Sequence, residues 1–141
     1  MDAESAALEE HYHVATDPDA ELVYRAEALL EQELPSRRLT LKEAQNLVER
    51  ISHAKDFDPP NVMHLAISRQ FDAFAVPNEQ VIAVRTSRPT QITILHEMAH
   101  FLGSMDHGFK FRHTYLELVR EHLTRDHHSW LRIRLLTGKI N

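Results

Sequence analysis

The chain has no cysteine, few glycines and no long apolar run. Its 141 residues include 3 glycines and 1 tryptophan. The absence of cysteine excludes disulfides, thiolate zinc sites and cysteine nucleophiles, and it is consistent with a reducing compartment. No stretch approaches the roughly 18 apolar residues of a membrane-spanning helix, and the acidic N-terminal segment lacks the apolar core of a signal peptide. We therefore expect a cytoplasmic protein that has no membrane partner.

Charge and length narrow the function classes further. The formal net charge of −5 argues against direct nucleic-acid binding as the main activity, because nucleic acids are also negatively charged. Six basic residues lie between positions 112 and 139, and a solvated helix surface explains them better than a binding face. The length predicts one domain with its own core. We expect residues 1–15, including His11 and His13, to form a flexible acidic tail, and residues 16–141 to form a single domain.

Apolar periodicity and turn signals predict an α+β fold. Two amphipathic helices come first, one from Asp17-Pro18 at its cap to about Glu33 and one that begins at the capping box Thr40-Leu41-Lys42-Glu43. A small three-stranded sheet follows, and three further apolar segments are helical. The predicted strands are Val62–Ser68, Phe71–Val76 and Val81–Val84, and the later helices run from Thr90 to Gly103, over about 108–124, and through Trp130–Leu136.

The segment His96-Glu97-Met98-Ala99-His100 is an H-E-x-x-H motif within an apolar helix. Residues four apart share one helix face, so both imidazoles can bind one Zn²⁺. Glu97 lies about 100° around the helix, where it can reach a zinc-activated water as general base. With 11 histidines in the chain, chance could produce this pattern. The apolar surroundings argue against chance, because two histidines and a glutamate are costly to bury unless they are paired or bound to metal.

A catalytic zinc usually takes three protein ligands, and two adjacent residues compete for the third place. Reading His100 to Asp106 as H-x-x-G-x-x-D makes Asp106 the ligand, as in metzincins. That group also requires a methionine turn downstream, and no methionine follows Met105.

His107 is the favoured third ligand. The short loop Gly103–Asp106 can return the chain beside the first helix, and zinc accepts imidazole readily. Asp106 would then be free to orient a ligand histidine, and Phe111 would pack beneath the site. Glu117 or Glu121 on the next helix is a further, less favoured alternative.

The pattern H-E-x-x-H followed by His107-Gly108-x-x-Phe111 resembles the SprT-like zinc proteases. From about residue 20 onward the chain more closely resembles a small family of metallohydrolases from actinobacteria and their phages. Besides the two histidine motifs, the similarity lies in Leu22–Glu27, Leu39–Ile51 and Leu131–Ile133. The family usually has proline after the His-Gly pair, where this chain has Phe109. The resemblance implies a zincin-like fold and the zinc ligands His96, His100 and His107, and it implies no substrate.

The predicted function is that of a zinc metallopeptidase acting on a protein or peptide substrate. The developing oxyanion needs a donor besides the metal, and Arg112, His113 and Tyr115 are candidates, although packing or solvation explains each of them better. The strand 81–84 or its hairpin partner could offer an edge to an extended peptide. Three alternatives remain: a zinc hydrolase of small amides, a non-catalytic protein with a structural zinc, and a regulatory protease that cuts one partner protein.

Overall fold

The computed structural model describes residues 18–69 and 71–139. Within them the fold is α+β, with five α-helices and one three-stranded sheet. The predicted tail at residues 1–15 and the capping role of Asp17 lie outside the described residues. The elements in chain order are α1 (Ala20–Glu33), α2 (Leu41–Ala54), β1 (Asn61–His64), β2 (Ala73–Val76), β3 (Val81–Val84), α3 (Gln91–Leu102), α4 (Phe109–His122) and α5 (Arg125–Thr137).

The described chain divides into two compact units, the first formed by residues 37–98. Its helix α2 begins at the predicted capping box: the Thr40 hydroxyl accepts from the Glu43 backbone N–H at 3.1 Å, and the Glu43 carboxylate accepts from the Thr40 backbone N–H at 2.9 Å. The apolar face of α2 is buried, and α2 packs beside β1. Local sequence signals therefore place this helix correctly.

Strand β3 is the centre of the sheet, because the strand order is β1-β3-β2. β1 pairs with it in parallel and β2 pairs with it antiparallel. The three-residue 3-10 turn Pro77–Glu79 and the left-handed Gln80 join β2 to β3, as the turn signal predicted. Met63, Leu65 and Ile67 pack into one apolar cluster with residues of β2 and β3.

Two strands are shorter than predicted. Asn61 pairs with Val81 and His64 pairs with Val84. Because β3 has only four residues, β1 has no pairing partner beyond His64. β2 begins at Ala73 rather than Phe71 for the same reason, since Ala73 pairs with Val84. Strand β3 is internal, so it cannot offer the predicted peptide-binding edge; its hairpin partner β2 lies at the edge of the sheet, with all four of its residues buried.

The second unit comprises residues 18–36 and 99–139, in which α5 packs against α1 and α4. Helix α1 ends at Glu33 as predicted, but it begins at Ala20 with Asp19 at the cap, so the predicted start at Pro18 is wrong. The Asp19 side chain does not cap the helix; its carboxylate instead forms an ion pair with Arg112 at 3.1 Å. At the far end of α5, Gly138 adopts φ 74°, a left-handed conformation that terminates the helix.

None of the helices in the described part of the chain combines the length and apolarity needed to cross a bilayer.

Candidate metal centre

Helix α3 carries the H-E-x-x-H motif, and its start is fixed by a cap and by a neighbouring segment. The Thr90 hydroxyl accepts from the Thr93 backbone N–H at 3.2 Å, which confirms Thr90 as the predicted cap. The Gln91 backbone N–H donates to the Arg37 carbonyl at 2.9 Å, and the Gln91 side chain accepts from the Arg37 backbone N–H at 3.0 Å. The helix therefore begins in a defined position about one and a half turns before His96.

Three histidines of α3 and the loop after it converge in space. One ring nitrogen from each of His96, His100 and His107 lies within 4.8 Å of the others. Their side chains are only 3%, 2% and 3% exposed. Burying three imidazoles away from water is costly unless they have partners, so a cluster of this kind suits a shared ion. The group could hold a metal ion.

The His100 ring has a tautomer that favours metal binding. Its Nδ1 lies 2.9 Å from the backbone carbonyl oxygen of Ser104. A carbonyl can only accept, so the proton must be on Nδ1 and the lone pair on Nε2. Metal-binding histidines commonly use a carbonyl or a carboxylate in this way. Asp106 is predicted to orient a ligand histidine, but the backbone carbonyl of Ser104 orients the ring of His100 instead.

The loop between α3 and α4 is held together by Asp106. Its carboxylate oxygen Oδ1 accepts from the Ser104 hydroxyl at 2.9 Å and from the Gly108 backbone N–H at 3.0 Å. The hydrogen bond from Gly108 is the main reason that the pKa of Asp106 is lowered, followed by the bond from Ser104, while the charge of nearby His107 contributes less. Asp106 therefore stabilises the loop that presents His107, and it does so as a carboxylate.

Gly103 follows the last residue of helix α3, where the helix is predicted to end. It does not adopt a left-handed conformation. A Cβ at this position would instead lie 2.8 Å from the Ala99 carbonyl oxygen and 2.9 Å from the Thr114 hydroxyl. Glycine is favoured here because a side chain would collide with the last turn of α3 and with Thr114 of α4.

Aromatic rings pack around His100 and His107. The fully buried Phe111 stacks on His100 with ring centroids 4.4 Å apart and meets His107 edge-on at 4.8 Å, so it lies against the site as predicted. Tyr24 of helix α1 contacts His107 at 5.1 Å between ring centroids. These contacts restrict the rotamers of both histidines before any ion is bound.

The structure separates the remaining predicted site residues from this group. Asp106, Glu117 and Glu121 are exposed, and among the described residues none of them joins the cluster that could hold a metal. His64 lies exposed on β1, and its Nε2 is 3.2 Å from the Arg85 carbonyl oxygen. The alternatives for the third ligand are therefore less well placed than His107.

The three predicted oxyanion donors have other roles. Arg112 pairs with Asp19, and the buried Tyr115 hydroxyl donates to the Glu27 carboxylate at 2.7 Å. The exposed His113 ring lies 4.1 Å from that of Phe109. The expectation that these side chains serve packing or solvation is consistent with these contacts.

Comparison of the chain with protein families, with characterised proteins and with solved structures gave no match. What the cluster does must therefore be inferred from its own residues.

Glu97 is the acidic residue of the motif, and it lies next to His96 on α3 with 4% of its surface exposed. A carboxylate beside a metal-bound water can accept a proton from that water. Three imidazoles and one neighbouring carboxylate can support metal-assisted hydrolysis.

Two contributors to the site could not be found by sequence reasoning. The Ser104 carbonyl is a backbone group, so the identity of residue 104 carries no signal for it. Tyr24 lies far from the motif in the chain, and only the fold brings its ring to His107.

Proposed function

We propose that this protein is a zinc-dependent metallohydrolase with a zincin-like fold, and that it hydrolyses peptide bonds. The observation that carries the proposal is the buried group His96, His100 and His107, whose ligand atoms lie within 4.8 Å of one another on and just after an H-E-x-x-H helix. The imidazole donors fit zinc, which binds neutral histidine readily.

The number of ligands favours a catalytic over a structural site. Structural zinc is almost always held by four protein side chains, whereas catalytic zinc has three and keeps one position open. Within residues 18–69 and 71–139 the group has three members. This observation supports an enzyme over a protein in which zinc only holds helices together.

The chemistry divides between the ion and the side chains. When bound, zinc would polarise the scissile carbonyl and make the attacking water more acidic. Glu97 accepts the proton of that water and delivers it to the leaving nitrogen. The hydrogen bond from His100 to Ser104 fixes one ligand ring, and Phe111 fixes it further by stacking. Burial of Glu97 keeps bulk water from competing for its proton.

The substitution Glu97→Gln tests this assignment. Glutamine preserves the shape of the side chain but is not a base, so the variant should bind zinc like the wild type and lose at least about 100-fold in turnover. His96→Ala is the matched control on the same helix, and it should lose both zinc and turnover. Metal content by mass spectrometry and hydrolysis of casein, of a peptide library and of small amides are the measurements.

Each outcome separates the proposal from one alternative. Turnover of small amides alone would replace the peptidase with an amidohydrolase, and cleavage confined to one partner protein would identify a regulatory protease. A wild-type protein that needs zinc to fold but cleaves none of these substrates would favour a structural site. Full activity of Glu97→Gln would show that the proposed mechanism is wrong.

A further inference from the structure

The proposed reaction needs a hydrogen-bond donor that faces the developing oxyanion, and the side chains predicted for this role are placed elsewhere. Arg112 is paired with Asp19, Tyr115 donates to Glu27, and His113 lies against the exposed ring of Phe109. A donor on another element that reaches the histidine cluster suits this role better than these three side chains do.

Among residues 18–69 and 71–139, Tyr24 of helix α1 carries a hydroxyl donor and contacts a histidine of the cluster. Its ring lies 5.1 Å from that of His107 in an edge arrangement. Phe111 contacts the same histidine but is fully buried, whereas 41% of Tyr24 is exposed. Tyr24 thus borders both the cluster and the solvent from which a substrate arrives.

We propose that Tyr24 contacts the substrate at the histidine cluster and donates a hydrogen bond to the oxygen that gains negative charge. This inference rests on the proposed function. A phenol hydroxyl keeps its proton at neutral pH, so it can donate to an anionic oxygen. A donor of this kind that is positioned in advance is effective, because it needs no rearrangement as the charge develops.

Two polar contacts hold Tyr24 in place from either side along α1. Asp19 forms its ion pair with Arg112 at 3.1 Å before Tyr24 in the chain, and Glu27 accepts from Tyr115 at 2.7 Å after it. Both partners are on α4, the helix that directly follows His107. Helix α1 is therefore pinned to the element that adjoins the cluster, which limits the movement of Tyr24.

Binding of acetohydroxamate, an anionic oxygen chelator, to the zinc-loaded protein tests this role without an assay of turnover. Tyr24→Phe removes only the hydroxyl, so its zinc affinity should equal that of the wild type while its acetohydroxamate affinity falls roughly 10-fold to 100-fold. Tyr115→Phe makes the same chemical change at the hydroxyl that donates to Glu27, so it separates a positioning effect on α1 from a direct contact with the ligand. It should lower stability and weaken acetohydroxamate binding by less than Tyr24→Phe does.

A spectroscopic measurement gives a second readout. The chain has 3 tyrosines, so protein labelled with 3-fluorotyrosine should show three fluorine resonances, assigned with the two phenylalanine variants. Acetohydroxamate should shift the Tyr24 resonance and leave that of Tyr115 in place.

The failures of the two proposals can be told apart. If the wild type binds zinc and acetohydroxamate but Tyr24→Phe binds both equally well and its resonance does not move, Tyr24 is not the donor. If the wild type binds no zinc, the proposed function itself fails.

Discussion

Replacing His107 and Asp106 in parallel shows which residue completes the metal site. In the structure His107 is buried and its ring nitrogen joins those of His96 and His100, whereas Asp106 is exposed and binds the loop. Alanine at position 107 therefore removes a ligand. Alanine at position 106 removes two hydrogen bonds that position a ligand.

The two losses should differ in size. Four-ligand zinc sites have apparent binding free energies of about 10–16 kcal/mol, or about 2.5–4 kcal/mol per ligand. His107→Ala should thus weaken zinc binding about 10²-fold to 10³-fold. Residues that orient ligands usually contribute about 10-fold to 100-fold. Because the Asp106 carboxylate is exposed, we expect Asp106→Ala to fall at the lower end, at about tenfold.

Competition with a chromogenic chelator at neutral pH measures both affinities, and urea unfolding of the metal-free variants shows whether each remains folded. Asp106→Asn is the matched control, since its side-chain carbonyl still accepts hydrogen bonds and zinc affinity should stay near that of the wild type. The reasoning is refuted if His107→Ala retains full zinc affinity while Asp106→Ala loses it, because Asp106 would then be the ligand.

Three further predictions concern the elements that support the site and the fold. Gly103→Ala should lower the free energy of unfolding in urea by about 1–3 kcal/mol, because the new Cβ would lie 2.8 Å from the Ala99 carbonyl oxygen and 2.9 Å from the Thr114 hydroxyl. A loss below about 0.5 kcal/mol would contradict these close contacts. Thr40→Ala should cost about 1 kcal/mol by removing the cap of α2. The hydrogen bond from the Thr40 backbone is the main reason that the pKa of Glu43 is lowered below 4.5, so its contribution to stability is present above that pH and lost as the pH falls below it. Glu43→Gln should therefore lose less stability than the wild type on acidification from about pH 5 to about pH 3, and equal losses would contradict the assignment.

Local signals in the sequence were sufficient for the helices and insufficient for the ends of the strands. The capping box at Thr40 and Glu43 acts within one helical turn, so it can be recognised without tertiary information. The extent of β1 depends instead on where β3 ends, a limit set by a segment about twenty residues later. The start of α1 also depends on distant residues, because the ion pair between Asp19 and Arg112 cannot be predicted from the sequence around Asp19.

The candidate site follows the same division between local and distant information. His96, Glu97 and His100 share one helix, and His107 is only a short loop away, so spacing alone predicts that they meet. Tyr24 could not be assigned a role in this way, because no pattern in the surrounding sequence indicates that it lies near the motif. Its position depends on how α1 packs, and α1 in turn is fixed by contacts to α4.

Protein contacts organise the loop that presents His107. Asp106 binds both Ser104 and Gly108, and the Ser104 carbonyl in turn holds the ring of His100. The same few residues thus fix the backbone of the loop and the orientation of one ring of the histidine group. Ordering a loop costs conformational entropy, and these hydrogen bonds offset part of that cost. A change in this loop should therefore disturb His100 and His107 together, which is why the Asp106 substitution is expected to alter metal affinity although the Asp106 side chain lies outside the group of three histidines.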